Sequence, residues 1–356
     1  MVKRIITISA VVLIIPVIVF IGFLAYMSMT DYKPQGMIPL TAENNRYKTR
    51  MVGVNTPFSI LIFNIGYCGL DKNQDFFLDG GTMSRSRSKE QTMTNLEQLA
   101  SFIESRKSDT ILLQEVDLDA SRSFGINEYD YIKTRLKGHA STFGVNFKVP
   151  WVPVPLMNPM GSVHSGLASF SAFSISSSAR YQYPGGEDWP RQVFELDRCF
   201  VENRLPVEGG RELVLINSHL SAFDKGGKVR KLQLAFLKTR ITGEYKRGNY
   251  VIVGGDWNHA LPGANPGLFK TTEDWPFWLQ KLPDDFTPAG FTWGLDKNVP
   301  TVRTNAKPYV KGENFRVVID GFLVSPNVTI VKVEGHDLDF EHSDHNPVIG
   351  VFKLKR

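Results

Sequence analysis

Polar residues stand at the ends of several apolar segments, and their types can bind a cation or move a proton. Any one of them alone is more often a turn former or a helix cap. Ligands in open α/β sheets collect beyond the carboxyl ends of strands, so such residues on separate segments together predict one shared site. The residues are Asn64 in LIFN, Glu115 in ILLQE, His219 in LVLINSH, Asp256 and Asn258 in VIVGGDWN, and Asp320 in VVIDGF.

This set of side chains favours a hard divalent cation. A carboxylate such as Glu115 with amide oxygens nearby suits Mg²⁺ or Mn²⁺, and the spacing of Cys and His residues does not suit zinc. A cation held by few carboxylates keeps water ligands, which suits phosphate substrates. A nearby Asp can orient or deprotonate a water molecule, while His and Asn balance charge on phosphoryl oxygens. The residues therefore predict hydrolysis of a phosphate ester.

The C-terminal segment FEHSDHNPV adds Asp344 and His345. Neighbouring residues in a regular strand point to opposite faces, so both can enter one site only at a junction between a loop and a strand. We expect Asp320 to orient His345 through a hydrogen bond, which leaves Asp344 near the cation.

Strand and helix patterns alternate from residue 57 onward. The run FSILIFNIG (58–66) predicts a strand, KEQTMTNLEQLASFIESRK (89–107) predicts an amphipathic helix, and the alternation continues to NPVIGVFKL (346–354). Such alternation predicts sheets covered by helices. Residues 57–356 are therefore expected to form the catalytic domain.

The N-terminus predicts a membrane anchor. No charged residue occurs from Ile5 to Thr30, and AYMSMTDYKP lacks a clear cleavage site, so an uncleaved transmembrane helix is expected within residues 1–30. Lys3 and Arg4 before it favour a cytoplasmic N-terminus and a catalytic domain outside the cytoplasm. Residues 31–56 are expected to be a polar stalk.

The charge balance argues against a protein that grips a polyanion along its length. The net charge is +5, and three basic residues and one acidic residue before position 34 leave +3 for residues 34–356. With 42% hydrophobic and 22% charged residues the chain is globular. Cys68 and Cys199 allow one disulfide at most, and the sequence leaves open whether they pair.

Two further features of the sequence could contribute to substrate binding. Arginine suits bidentate phosphate contacts, and Arg191 and Arg198 are basic residues near the site in sequence, although a solvated charged face is the alternative for each. The Pro-rich segment 146–166 is either a surface loop, a wall of the substrate cleft or a membrane contact. The predicted phosphate contacts are Arg230, Arg303 and Arg316.

Six strings in order along the chain resemble the motifs of the endonuclease/exonuclease/phosphatase superfamily, which has the deoxyribonuclease-I-like fold. The resemblance covers residues 57–356 and implies a four-layered α/β sandwich, in which two mixed sheets pack face to face and are flanked by helices. The strings are FNIG (63–66), LLQE (112–115), INSHL (216–220), GGDWN (254–258), VIDGFLVS (318–325) and SDHNPV (343–348).

The resemblance also implies a role for each matching residue. Glu115 is similar to the principal metal ligand of the family, assisted by Asn64 and Asp344. Asp256 resembles the residue that positions or activates water, and Asn258 and His219 resemble residues that contact the phosphate. His345, paired with Asp320, resembles the phosphate-binding or acid/base histidine.

Three functions remain open on the sequence. The first is a monomeric, membrane-anchored, Mg²⁺-dependent phosphodiesterase or phosphatase that acts outside the cytoplasm on a lipid head group or a small-molecule ester. The second is an exported nuclease acting on DNA or RNA, for which the charge of +3 is low. The third, a module that binds phosphoesters without cleaving them, is disfavoured because every motif position carries an expected residue.

Overall fold

A computed structural model gives the architecture of the chain. It describes residues 2–45 and 49–356, without the side chains of residues 2–13 and residue 225. The helices are α1 (Val2–Thr30), α2 (Lys89–Arg106), α3 (Glu128–Arg135) and α4 (Lys228–Lys246). The strands are β1 (Met37–Leu40), β2 (Phe58–Asn64), β3 (Thr110–Asp117), β4 (Ala140–Val152), β5 (Gly161–Ser171), β6 (Ser177–Gln182), β7 (Cys199–Pro206), β8 (Glu212–His219), β9 (Tyr250–Asp256), β10 (His259–Ala260), β11 (Gln280–Lys281), β12 (Thr292–Gly294), β13 (Val302–Arg303), β14 (Arg316–Val317), β15 (Asp320–Val324), β16 (Val328–Gly335) and β17 (Val348–Leu354).

Two large mixed sheets form the centre of the fold. One has the strand order β1-β6-β7-β8-β9-β15-β12 and the other the order β16-β17-β2-β3-β5-β4. β8 runs parallel to β9, and β2 runs parallel to β3, whereas the other pairs within the large sheets are antiparallel. The strands β2 and β9 are almost continuously apolar because both of their faces are covered.

Apolar side chains fill three layers and confirm the predicted sandwich. Ile62 and Leu112 of one sheet meet Leu215 and Phe322 of the other between the sheets. Leu237 of α4 packs on the outer face of the seven-stranded sheet. The outer face of the six-stranded sheet is covered by apolar residues of α2 and α3, including Leu96, Leu99, Ile103, Tyr129 and Ile132.

The segment expected to be a stalk is part of the fold. Met37–Leu40 pairs with β6 as the edge strand of the seven-stranded sheet, and Glu43 pairs with Ser141. The expectation of a polar stalk over residues 31–56 therefore does not hold for Met37–Leu40, because this short apolar segment pairs with a strand far along the chain. Arg46, Tyr47 and Lys48 lie outside the described residues.

The segment predicted to be a membrane anchor falls within the N-terminal helix α1. Part of that anchor, residues 1–13, lies outside the described side chains. Within the described part of the chain, no helix has the length and apolar character that crossing a bilayer requires. Cys68 and Cys199 are both buried and free, so the disulfide that the sequence left open does not form.

Candidate active site

The strand register gathers the predicted residues at one edge of the sandwich. Asn64 lies opposite Gln114 where the parallel strands β2 and β3 end, and His219 lies opposite Asp256 where β8 and β9 end. Asp256 also lies opposite Asp320 in the antiparallel pair of β9 and β15. These side chains therefore meet because four carboxyl ends of strands face the same way.

Two backbone features aim the side chains into this edge. Glu115 has a φ of 54° at an irregularity between Leu113 and Val116, which turns its side chain out of the regular alternation of β3. Gly255 has a φ of +142°, and a Cβ there would lie 2.1 Å from the carbonyl oxygen of Ser218. The close approach of β8 and β9 just before Asp256 therefore requires glycine.

Asp256 is the centre of the site. Its Oδ2 accepts a hydrogen bond of 3.1 Å from Asn64 Nδ2, and its Oδ1 accepts one of 2.9 Å from the backbone N–H of Asn258. Burial and the nearby Asp320 raise the pKa of Asp256 to about 7, although His345 and these hydrogen bonds oppose the rise. Asp256 can therefore take up or release a proton near neutral pH.

His345 and Asp320 form the predicted pair. His345 Nδ1 lies 2.9 Å from Asp320 Oδ2, and its other ring nitrogen, Nε2, lies 3.8 Å from Asp256 Oδ2. Burial lowers the pKa of His345, but Asp320, Asp256 and Asp344 outweigh it and raise that pKa to about 10. Thr301 Oγ1 accepts the backbone N–H of Asp320 at 3.0 Å and fixes that end of β15.

The pKa of His219 is shifted in the opposite direction to that of His345. His219 Nε2 lies 3.4 Å from Asp256 Oδ2, and its buried Nδ1 has no hydrogen-bond partner within the described residues. Burial, together with the positive charges of Arg198 and His345, holds the pKa of His219 well below its ordinary value. The site therefore places one charged and one neutral imidazole near the same carboxylate oxygen, Asp256 Oδ2.

Asn258 follows Asp256 with a φ of 47°, and its Nδ2 donates to the carbonyl oxygen of Leu220 at 2.8 Å. This hydrogen bond fixes the side chain at the wall of the cavity, where Asp256 and His345 also lie. The predicted role of Asn258 in binding phosphate remains a prediction.

Glu115 and Asp344 offer carboxylate oxygens to the same cavity. Asp344 Oδ2 accepts from Asn305 Nδ2 at 2.7 Å, and the buried Oδ1 of Asn305 has no hydrogen-bond partner within the described residues. Gly66 has a φ of +50°, and a Cβ there would lie 2.8 Å from Asp344 Oδ1, so only glycine allows this approach. Oxygen donors with an unused acceptor beside them fit a hard cation such as Mg²⁺.

The orientation of the Asn64 amide affects its predicted role as a metal ligand. Its NH₂ group donates to Glu115 Oε1 and to Asp256 Oδ2, both at 3.1 Å, while its oxygen accepts from the N–H of Gly66 at 3.0 Å. In this arrangement Asn64 positions the two carboxylates, and a direct bond to a cation requires the amide to rotate.

Within the described residues, one group of three acidic or histidine side chains brings potential ligand atoms close together. Asp256, Asp320 and His345 have such atoms within 4.8 Å of one another. His345 Nδ1 already bonds Asp320 and its raised pKa keeps the ring charged, so this group suits proton transfer better than metal binding.

The three arginines predicted to contact phosphate have backbone carbonyls as partners. Arg230 donates to the carbonyls of Asn258 and Trp278, Arg303 to that of Asp71, and Arg316 to that of Lys270. Arg303 lies in the wall of the cavity, whereas Arg230 and Arg316 are not among the cavity residues. The geometry therefore gives these guanidinium groups structural contacts, and their role towards the substrate stays a prediction.

Arg198 is a further arginine of the site, which the sequence placed only among the basic residues nearby and not among the predicted phosphate contacts. It lies in the cavity wall with Glu115 and Asp256, and its buried Nη1 has no partner among the described residues. Burial lowers the pKa of Arg198, while the charges of Glu115 and Asp256 oppose that effect. The basic residue in LDRCF was visible in the sequence, but only the fold places it beside the carboxylates.

A buried amide pair supports the site from below and was also missed. Gln114 Nε2 donates to Asn217 Oδ1 at 2.7 Å, and Asn217 Nδ2 donates to the carbonyl oxygen of Leu113 at 3.0 Å. The pair links the two sheets directly beneath Glu115 and His219. The signal in the sequence is a polar residue inside each of the apolar strings ILLQE and LVLINSH.

Comparisons with known proteins agree with this arrangement. The model of the Endonuclease/Exonuclease/phosphatase family matches residues 61–345. No curated protein matches the sequence. A solved endonuclease/exonuclease/phosphatase from Beutenbergia cavernae has a TM-score of 0.57 at 16% identity, covering 84% of this chain and 72% of that one.

Two further solved structures have the same fold. ANGEL2, a 2',3'-cyclic phosphatase in complex with adenosine-2',3'-vanadate, has a TM-score of 0.54 at 15% identity and covers 90% of this chain and 99% of its own. TDP2 from D. rerio, complexed with a single-strand DNA product, has a TM-score of 0.52 at 17% identity and covers 83% and 99%. At these identities the likeness concerns the fold.

Proposed function

Because this chain belongs to the endonuclease/exonuclease/phosphatase family, whose model matches residues 61–345, we propose that it is a metal-dependent hydrolase of phosphate esters. The observation that carries the proposal is the meeting of Glu115, Asp256 and His345 at one cavity, although they come from three distant segments. A charged imidazole, a carboxylate that titrates near neutrality and an additional carboxylate form a set suited to P–O bond cleavage.

Glu115 and Asp344, with Asn64 beside them, would hold Mg²⁺ or Mn²⁺ at this cavity. Such a cation would supply Lewis-acid chemistry at the phosphate when bound. Arg198 lies across the same cavity as a cation without a partner among the described side chains, and it binds the phosphate charge.

The protein side chains divide the proton transfers between them. Asp256 orients the attacking water and accepts its proton, since its pKa of about 7 allows both states near neutral pH. His345, kept charged by Asp320, donates a hydrogen bond or a proton from Nε2 to the phosphate or the leaving oxygen. His219 stays neutral and contacts Asp256 without adding positive charge.

Membrane attachment through α1 is part of the proposal. The sequence supports it, since no charged residue occurs between Ile5 and Thr30, and the catalytic domain then lies outside the cytoplasm. Flotation of the full-length chain with liposomes at high salt checks this point. A chain that stays at the bottom of the gradient contradicts the attachment but leaves the hydrolase proposal standing.

The hydrolase proposal is tested with bis(p-nitrophenyl) phosphate, plasmid DNA and sphingomyelin, each with Mg²⁺ or with EDTA. Asp256→Asn and His345→Gln are the test variants, and Glu334→Gln on the exposed face of β16 is the matched control. We expect Mg²⁺-dependent turnover of at least one ester and a loss of about 100-fold or more in both test variants. Absence of turnover for every ester, or wild-type rates in Asp256→Asn, refutes the proposal.

A further inference from the structure

The cavity that contains the active site has a second, apolar half. The volume of the whole cavity is ≈ 530 Å³, which is within the range of sites that enclose most of a small organic ligand. The carboxylates and imidazoles occupy one end. The other end is lined by side chains from three separate parts of the chain, among them Phe77, Leu78, Phe147, Val154, Met160 and Phe194.

Two arginines along the apolar half are already paired with carboxylates. Arg191 lies 2.8 Å from Glu195 and 3.6 Å from Glu187, and all three line the cavity. Arg122 bonds Asp117 at 2.8 Å and lies over the ring of Tyr67. A chain of nucleotides requires free cations along its path, and these arginines do not supply them.

The apolar half continues into the N-terminal helix. Met27 of α1 is fully buried in the same cluster as Phe147 and Met160, and Phe23 stacks on Phe194 with ring centroids 5.9 Å apart. Trp189 Nε1 donates to Ser28 Oγ at 3.0 Å, which fixes the end of the helix against the domain.

The exposed surface beside this wall is also apolar. Seven apolar side chains of α1 between Ile14 and Ile21 are 54–64% exposed. Leu156 and Met157, in the loop between β4 and β5 that lines the cavity, are 84% and 96% exposed. Exposed apolar side chains in this number favour contact with a lipid phase or an apolar ligand.

We infer that the substrate is an amphiphilic phosphoester, in which the phosphate is joined to a long acyl or alkyl chain. The inference rests on the proposed hydrolysis at Asp256 and His345. The phosphate lies at Arg198, and the chain lies along Leu78 and Val154 towards the surface next to α1. Burial of the chain replaces contact with water and supplies the binding energy.

The test uses alkyl p-nitrophenyl phosphates with methyl, butyl or octyl groups. Water attacks phosphorus, the P–O bond to the nitrophenyl group breaks, and p-nitrophenol and the alkyl phosphate are released, so every ester has the same leaving group. The full-length chain is assayed in a constant amount of nonionic detergent. We expect kcat/KM to rise from methyl to octyl by up to about fourfold for each methylene that the wall buries completely.

The test variant is Leu78→Asn combined with Val154→Asn, because both residues line the cavity and are 43% and 42% exposed, which protects folding. The matched control is Leu268→Asn, which is 56% exposed and outside the cavity lining. The test variant is expected to lose most of the preference for octyl over methyl and to hydrolyse the methyl ester like wild type. The control is expected to keep the preference. Because partition into micelles would affect both variants equally, a loss confined to the test variant excludes partition as the cause of the preference.

Three outcomes overturn the inference while the proposed hydrolysis stands. They are equal kcat/KM values for methyl and octyl esters, an octyl preference that the test variant retains, and plasmid cleavage that outpaces hydrolysis of the octyl ester. If no ester is hydrolysed and thermal unfolding shows an intact fold, the proposed function itself fails, and the chain-length inference fails with it.

Discussion

Replacement of Asp320 by Asn removes the counterion of His345 and keeps the size of the side chain. Asp320 Oδ2 lies 2.9 Å from His345 Nδ1, and its charge and hydrogen bond are the leading causes that raise the pKa of His345 from 6.5 to about 10. Without that charge and hydrogen bond, only Asp256 and Asp344 still oppose the effect of burial, so the pKa of His345 falls towards its ordinary value.

The expected loss in kcat/KM follows from the fraction of His345 that is protonated. At pH 8 an imidazole with a pKa of about 10 is about 99% protonated, and one with a pKa of 6.5 is about 3% protonated. If the protonated ring is required, Asp320→Asn loses roughly 30-fold in kcat/KM at pH 8. At pH 5.5 both rings are about 90% or more protonated, and this loss almost disappears.

The Asp320→Asn substitution is expected to lower the pKa of Asp256 as well as that of His345. Asp320 also raises the pKa of Asp256 towards 7, because two buried carboxylates repel each other. Removal of the Asp320 charge lowers the pKa of Asp256. The acidic limb of the pH profile of kcat/KM therefore moves to lower pH together with the alkaline limb. The variant should therefore be closest to wild type at the acidic end of the range.

The assay is the pH profile of kcat/KM for bis(p-nitrophenyl) phosphate between pH 5 and 10, with Glu334→Gln as the control. Thermal unfolding of both variants shows whether either change affects the fold. A wild-type to Asp320→Asn ratio that stays constant across the range refutes the reasoning. An alkaline limb that moves to higher pH in Asp320→Asn also refutes the reasoning.

The remaining predictions concern the other groups of the site and its support. Glu115→Gln should raise the concentration of Mn²⁺ needed for half-maximal binding at least tenfold, measured by titration calorimetry, and unchanged binding would remove Glu115 from the metal site. Arg198→Gln should raise KM or lower kcat for phosphate esters about tenfold or more with unfolding unchanged, and wild-type kinetics would contradict its contact with the phosphate. Arg122→Met should destabilise the protein in urea by about 3–5 kcal/mol, because it leaves Asp117 buried and unpaired, and Asp117→Asn in the same chain should recover much of the loss. A loss below about 1 kcal/mol in Arg122→Met would show that the pair contributes little.

The sequence strings named several of the residues that the fold brings to one cavity, namely Asn258, Glu115, His219, Asp256, Asp344 and His345, whereas their chemical roles stay predictions. Asn64, His219 and Asp256 each close an apolar strand, and the parallel pairs β2–β3 and β8–β9 bring these ends together by register alone. The pairing of His345 with Asp320 could be predicted for a similar reason, because a residue at the start of a strand needed a partner from another segment.

Features that depend on contacts across the chain could not be predicted in this way. Met37–Leu40 looked like a linker and is a sheet edge, since its partner β6 lies far away in the sequence. Arg230 looked like a phosphate contact and donates to the carbonyls of Asn258 and Trp278, which the helix α4 brings within reach.

The sequence by itself determined the family, the α/β layers and the polar residues of the site, because strand periodicity and short motifs are local properties of the chain. Only the tertiary structure decided that Glu115 leaves the regular strand alternation and that Arg198 lies among the carboxylates. It also decided that an apolar half completes the cavity, since segments separated by long stretches of chain form that wall only after the two sheets have packed.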